Sequence, residues 1–426
     1  MEKHEICKQI IRCIKDYIST PECLEAHRTK NHFVRKRKLS MSHLITYLFY
    51  TNKASMYQNI ASIREDLSPD SFPVVSKQAV SKARQYIDPS LFQSLYSLSV
   101  DIFYRNIPKR KLWNGFHIYA IDGSKFEIPN DPTTFEFFGE MFTFPNNNRK
   151  FTSGLASMIY DVLDDYIIHG SLHRYLAPER EAAKEHMKTI ETLDIYKNSI
   201  VIFDRGYYSE DMFRYCVEHN HLCLIRLKDK LKISRSCKGD TISILPGNSK
   251  TGTEDISIRV IEVTLDSGTK EYLATNIFDK NITVHMFKEL YFLRRPIDSK
   301  YFELKERFRI EEYSGKTAVA IFQEYYINLL LSNLTSLIKS KVDDDINEDM
   351  IHKTKNRYQA NRTYILGRLK KMLPKILCDL TDTSIIDEIV KESYKVRSQL
   401  LPGRSFKRKT RKLVCRKHFS NRKVAF

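Results

Sequence analysis

Three acids placed far apart in this 426-residue sequence are of a type and setting that could do chemistry together. Asp122 lies at the end of an apolar run in GFHIYAIDGSKFEIP (Gly115 to Pro129), and Asp204 ends another in SIVIFDRGYYS (Ser199 to Ser209). Asp298 lies in YFLRRPIDSKYFELKERFRIEEYSG (Tyr291 to Gly315). Mg²⁺ prefers oxygen ligands and keeps several waters, so a few carboxylates plus substrate phosphate suffice to hold it. Two divalent ions held about 3.5–4 Å apart activate a water or a 3′-hydroxyl and stabilise the departing oxygen of an in-line displacement at phosphorus. Such a cluster needs one carboxylate that bridges both ions and at least one more for each. Asp122 is the natural bridge, with Asp204 and Asp298 as ligands of the separate ions. Taken singly, Asp204 before Arg205-Gly206 and Asp122 before Gly123 also suit turns or helix caps, so the chemistry requires that all three meet.

The element that must present Asp298 reads as a helix. Tyr291, Arg294, Asp298 and Lys305 step by three, four and seven residues, which stacks side chains along one face. Ile297, Tyr301, Phe302, Leu304 and Phe308 populate the neighbouring arc and are expected to face a core. Pro296 either kinks this helix or starts a new one at its first turn, so the shared face is firmer for Asp298 and Lys305 than for Tyr291 and Arg294.

The spacing Tyr-x2-Arg-x3-acid-x6-Lys resembles the Tyr-Arg-Glu-Lys signature of cut-and-paste insertion-sequence transposases of the DDE type (insertion-sequence family 4), with Asp298 where the family has Glu. FRIEEYSG (Phe308 to Gly315), the strand-ending Asp122-Gly123-Ser124 and the strand-ending Asp204-Arg205-Gly206-Tyr207 are similar to the same family and fall in its order. The resemblance implies an RNase H-like catalytic domain, with Asp122, Asp204 and Asp298 as catalytic metal ligands for two Mg²⁺ ions, Mn²⁺ able to substitute. It further implies that Arg205, Tyr291, Arg294 and Lys305 bind phosphates near the scissile bond. Aspartate is one methylene shorter than glutamate and reaches roughly 1–1.5 Å less far from its helix. Neither Glu303 nor Glu306 replaces it, since one points elsewhere and the other lies too far along the axis.

Along the chain, residues 1–110 read as a helical domain, with apolar periodicity in HLITYLFYTNKASMYQNIASI and DPSLFQSLYSLSVDIFYRNI. Between these lies a short basic helix (Val75 to Ile87), capped by Ser76 and carrying Lys77, Lys82 and Arg84. The resemblance tilts its reading from a solvated face toward DNA contact. Residues 111–228 give strand, hairpin, helix, strand, helix and strand, with a tight turn expected at Asp122-Gly123-Ser124 and the hairpin turn at Asp161 to Asp165. With the resemblance, that order predicts an α/β fold, an RNase H-like mixed sheet continued in 284–345 and preceded by the all-helical domain. Alternating segments in 229–283 predict an antiparallel β insertion, which by family likeness suggests a hairpin-forming cleavage route. Residues 346–426 read as a helical region, with 357–376 helical, and a basic tail bearing Lys407, Arg408 and Lys409.

The net charge of +18 points to an extended polyanionic partner, most simply DNA. Eight scattered cysteines without a C-x-x-C pattern argue against a zinc ribbon or a disulfide framework and suit a reducing cytosol. The charged MEKHEICKQI start lacks the apolar run of a signal peptide, and the apolar stretch Ile327 to Ile338 is too short to span a bilayer. The expectation is a cytoplasmic, nucleoid-associated bacterial transposase that binds terminal inverted repeats and target DNA as a homodimer, away from any membrane. A catalytically inactive transposase-derived DNA-binding protein and an RNase H-like nuclease are the alternatives.

Overall fold

The computed structural model describes residues 2–35, 37–68, 71–142, 150–247, 252–350 and 357–400. The chain opens with helices α1 (Lys3–Ile18), α2 (Pro21–His27), α3 (Met41–Tyr50), α4 (Met56–Leu67), α5 (Lys77–Arg84) and α6 (Ser90–Asn106). Strand β1 (His117–Ile128), helix α7 (Pro132–Phe138), strands β2 (Met141–Phe142), β3 (Lys150–Asp161) and β4 (Tyr166–Arg174), and helix α8 (Glu179–Thr192) follow. Then come β5 (Ser199–Phe203), α9 (Glu210–Glu218), β6 (Leu222–Arg226), α10 (Lys232–Ser236), β7 (Asp240–Leu245), β8 (Ile256–Thr264) and β9 (Lys270–Thr275). The chain continues through α11 (Val284–Phe292), α12 (Arg295–Glu306), α13 (Ala318–Met350), β10 (Arg357–Ala360), α14 (Arg362–Leu377), α15 (Ile385–Lys395) and β11 (Arg397–Leu400).

Two compact units result: Met1–Pro108 with Phe126–Gly154 and Leu304–Phe426, and Lys109–Lys125 with Leu155–Glu303. This differs from the division expected from sequence. The helices after residue 304 pack with the first six, and the β insertion shares a unit with the acid-bearing strands.

In the helical unit, α13 is the hub, packed by α1, α6, α14 and α15. Its length and near-continuous burial from Ala320 to Ile338 are those of a helix enclosed on all sides. The flanking helices are fixed at their starts by side chains that satisfy free backbone N–H groups. Ser40 with His43 and Ser55 with Gln58 form capping boxes on α3 and α4, and Ser76 caps α5 through the Ala79 N–H. Residues 357–376 depart from the helical expectation at their start, where β10 pairs antiparallel with β11.

Arg84 is corrected by this packing. It is 1% exposed, and its guanidinium meets Glu324 at 3.0 Å, Gln323 at 2.9 Å and Ser314 at 2.9 Å. Burial would push the Glu324 carboxyl up, but Arg84, then Lys53 and the Ser314 donors, hold it below the usual range. Gly315 makes the approach feasible, because a Cβ there would stand 2.5 Å from the Ala320 Cβ and 3.0 Å from Arg84 Nη1. Arg84 is therefore a core ion partner with no face for DNA, whereas Lys77 and Lys82 are exposed on α5.

The strands of the other unit belong to a sheet of order β2-β3-β1-β5-β6-β9-β8-β7, in which β4 also pairs with β3. The hairpin β3–β4, the parallel neighbours β1, β5 and β6, and helices α8 and α9 between strands give the RNase H-like arrangement. The insertion is not a separate layer: β9 pairs antiparallel with β6 and extends the same sheet through β8 and β7. One expectation fails at β1, which runs unbroken from His117 to Ile128 and makes no turn at Asp122-Gly123-Ser124. Gly123 serves close approach, since a Cβ there would lie 3.1 Å from Leu155 Cδ1 and 3.6 Å from the Tyr207 hydroxyl.

The buried ion pair gives a measurable consequence. Replacing one partner leaves the other charge buried and uncompensated, so Arg84→Met is expected to lower stability by about 3–5 kcal/mol. Lys82→Gln, on the exposed side of the same helix, is expected to stay within about 0.5 kcal/mol of the parent. Urea unfolding of the two variants measures the contrast.

Candidate active site

The register of two strands brings the first two acids together. Parallel pairing of β1 with β5 ends at Ile121 opposite Phe203, so Asp122, still within β1, and Asp204, the first residue past β5, stand at the same level. Adjacent strands are about 4.8 Å apart, which places both acids at one point of the sheet. A strand ending at Asp204 and then a helix is what the reading of SIVIFDRGYYS predicts, and the structure adds that Ser209 caps α9 through the Met212 N–H.

Asp298 arrives on a different element. Tyr291 lies in the last turn of α11, Arg294 in the break, and Pro296 is the second residue of α12. Pro296 thus starts a new helix, where its missing N–H costs nothing and its fixed φ suits the first turn. Asp298 falls in that first turn, where the helix dipole favours a carboxylate. Tyr301, one turn further, donates its hydroxyl to the backbone carbonyls of Asp122 at 2.8 Å and Ala156 at 3.0 Å, which ties α12 to β1 and β3. Phe302, expected in the core, is 63% exposed, while Ile297, Leu304 and Phe308 are buried.

Arg294 joins the acids. Its Nη1 lies 3.1 Å from Asp122 Oδ2 and its Nη2 lies 3.1 Å from Asp298 Oδ2. The Tyr291 hydroxyl donates to Asp204 Oδ1 at 3.2 Å, and the Gly123 N–H donates to Asp122 Oδ1 at 2.9 Å. Burial pushes the Asp122 carboxyl up to about 7, helped by Asp298 and Asp204 and opposed by Arg294 and the Gly123 N–H. Burial also works against the Arg294 charge, yet Asp298, then Tyr291, Asp122 and Asp204, hold it above the ordinary range. The Tyr291 hydroxyl is raised by burial and then by Asp204, so it stays a donor.

The donor set fits hard divalent cations. It consists of carboxylates, one of them poorly solvated and kept in check by a single guanidinium, which leaves negative charge for a cation to neutralise. The spacing is more open than a one-ion cage. Among the described residues, the triad whose ligand atoms all lie within 4.8 Å of one another is His4, Glu5 and Asp387, in the helical unit. There Lys8 already pairs with both carboxylates, at 2.7 Å from Glu5 and 2.6 Å from Asp387. Asp122 and Asp298 share Arg294, and Asp204 is held by Tyr291.

The remaining sequence candidates lie elsewhere. Arg205 is exposed next to Asp204. Lys305 belongs to the helical unit, 3.6 Å from Glu311 and over the Phe126 ring at 5.0 Å. Glu303 is buried 3.3 Å from Lys300 and Glu306 is exposed, so neither stands in for Asp298. Lys77 sits over the Tyr57 ring, and Lys407, Arg408 and Lys409 lie outside the described residues. Two residues went unnoticed in the sequence. Tyr301 read as one more apolar helix position, and Tyr207, in the Asp-Arg-Gly-Tyr run, is buried with its hydroxyl toward the acids.

The family model for the transposase DDE domain matches residues 113–334, more than half of the chain and the span that holds all three acids. The chain belongs to this family of DDE-type insertion-sequence transposases, whose members generally use divalent metal ions. "Putative transposase InsZ" of Escherichia coli (strain K12) is 27% identical over 143 residues, which are 33% of this chain and 45% of that protein. The chain thus spans under half the length of that curated relative. A solved structure of the piggyBac transposase synaptic complex with hairpin DNA aligns with a TM-score of 0.49 at 9% identity, over 93% of this chain and 87% of that one.

The elevated Asp122 pKa yields a pH test. An unfolded aspartate titrates near 3.8 and the folded one near 7, so stability present at low pH is lost as pH rises through that window. Asp122→Asn removes the charge at fixed shape. Thermal melts with a chelator present are expected to show the variant above the parent at pH 8 and no such advantage near pH 4.

Proposed function

We propose that this chain is a DNA transposase that binds the terminal inverted repeats of its element as a homodimer, cleaves the DNA there and joins the 3′-hydroxyls to target DNA. The observation that carries the reading is the junction of Asp122, Asp204 and Asp298, from two strands and one helix, through Arg294 and Tyr291. A structural ion pair does not require three acids from separate elements to meet where the β1–β5 pairing ends, whereas two-metal phosphoryl transfer needs such a cluster.

In this reading Asp122, Asp204 and Asp298 hold two divalent cations, most simply Mg²⁺ with Mn²⁺ able to substitute. When bound, the cations supply charge that activates the attacking oxygen and stabilises the departing one. The protein's own groups do the positioning. Asp122 faces both other acids and serves as the shared ligand. Tyr291 holds Asp204 by one oxygen and leaves the other for coordination. Arg294 stays charged, and its planar fork can leave the carboxylates and take phosphate oxygens of the strand being cut. Arg205 is exposed beside Asp204 and can add a second phosphate contact. On the helical unit, Lys77 and Lys82 offer sequence-independent contact to the duplex backbone, and the charge of +18 supports a polyanionic partner. Among the described residues no helix is long and apolar enough to cross a membrane.

Asp298 in place of glutamate also supports a second reading, a transposase-derived DNA-binding protein without catalysis. One experiment separates the two: nicking of an end-containing duplex with Mg²⁺ or Mn²⁺ by the parent, Asp298→Glu and Asp298→Ala. A misplaced group costs about 10²-fold, so the alanine variant is expected to fall at least that far below the parent. Equal rates for the parent and the alanine variant would sink the assignment of Asp298.

A further inference from the structure

Tyr207 is a buried residue with an unexplained polar end. It is 1% exposed, and its hydroxyl has no hydrogen-bond partner among the described residues, although buried donors are ordinarily paired. The ring is fixed by Phe203, with centroids 5.6 Å apart, and by the Tyr207 N–H donating to the Asp204 carbonyl at 3.1 Å. The hydroxyl is therefore aimed by the same turn that delivers Asp204. It reaches 3.6 Å from the point a Cβ on Gly123 would occupy, so the absence of a side chain at that position gives it room beside β1. The charges acting on it are those of Asp122, then Glu179, then Asp204, with Arg294 acting in the opposite sense, and the Glu179 carboxyl carbon lies 3.7 Å from the same Gly123 position. Arg180, next to Glu179, donates to the carbonyl of Tyr208 at 3.2 Å and so fastens the start of α8 to this turn.

A phenol is a hydrogen-bond donor at neutral pH, and every ionised acceptor near this one is a carboxylate. Asp122 has one oxygen on the Gly123 N–H and the other on Arg294, the partner that substrate phosphate would draw away. We propose that Tyr207 is a positioning residue for Asp122: in the cation-loaded site its hydroxyl donates to that carboxylate and fixes the orientation in which Asp122 is shared. The inference rests on the reading of the three aspartates as cation ligands. Donors that orient ligating carboxylates typically contribute about 10- to 100-fold to metal affinity.

The test is Mn²⁺ binding by the full chain, read from the electron paramagnetic resonance signal of free Mn²⁺, for the parent, Asp122→Asn, Tyr207→Phe and Glu179→Gln. Melting temperature is recorded alongside. Tyr207→Phe is expected to weaken binding about 10-fold or more while melting at or above the parent temperature, because a buried unpaired hydroxyl has been removed. Glu179→Gln is expected to leave binding unchanged. Parent-like affinity in Tyr207→Phe overturns the inference while loss of binding in Asp122→Asn leaves the aspartate site standing. An equal loss in Tyr207→Phe and Glu179→Gln also overturns it, by assigning the hydroxyl to Glu179. Undiminished binding in Asp122→Asn would instead remove the aspartate site itself.

Discussion

The site depends on the register between β1 and β5. Side chains alternate along a strand, so a slip of one residue in either strand would send Asp122 or Asp204 to the opposite face. What fixes the register is burial: Ile118 to Ile121 and Ile200 to Phe203 are each fully enclosed, and shifting one run against the other would expose or overfill the core. The apolar residues of SIVIF and HIYAI thus do more than stabilise a sheet. They set the level at which Asp122 and Asp204 stand on neighbouring strands.

Bringing acids together without cations has an electrostatic cost, and Arg294 limits it. The Arg294 side chain is only 14% exposed and that of Asp122 21%, so their attraction is weakly screened, whereas Asp298 is 55% exposed and its pairing is screened by solvent. The arrangement is self-consistent, since each acid holds Arg294 charged and Arg294 keeps Asp122 from rising further. A site built this way keeps Asp122 and Asp298 in place around one guanidinium.

Much of this was legible in the sequence, for identifiable reasons. The strands, the hairpin, α9 and the acids at Asp204 and Asp298 follow from local patterns whose periods are short. Long-range facts were not legible. Arg84 looked like a DNA contact because its neighbours Lys77 and Lys82 are exposed, and the glutamate that buries it lies 240 residues away. Gly123 was taken for a turn residue, since glycine after aspartate is a common turn signal, whereas here it makes space for Leu155 and Tyr207. Lys305 follows helical arithmetic from Asp298, but the side chain turns to Glu311, and Tyr291 and Arg294 reach the acids instead because Pro296 breaks the helix between them.

That break bears on the one departure from the family pattern. An uninterrupted helix from Tyr291 to Lys305 would fix the distance of residue 298 from the sheet by the packing of the whole helix. Two helices allow α12 to take its own position, and Tyr301 sets it. With its hydroxyl bonded to the carbonyls of Asp122 and Ala156, the helix is held against β1 at the level of Asp122 itself. Asp298 stands three residues earlier, almost one turn, and its carboxylate already shares Arg294 with Asp122. The polar tip of an otherwise buried tyrosine thus sets how far residue 298 stands from β1, and a side chain shorter by one methylene still reaches the guanidinium it shares with Asp122.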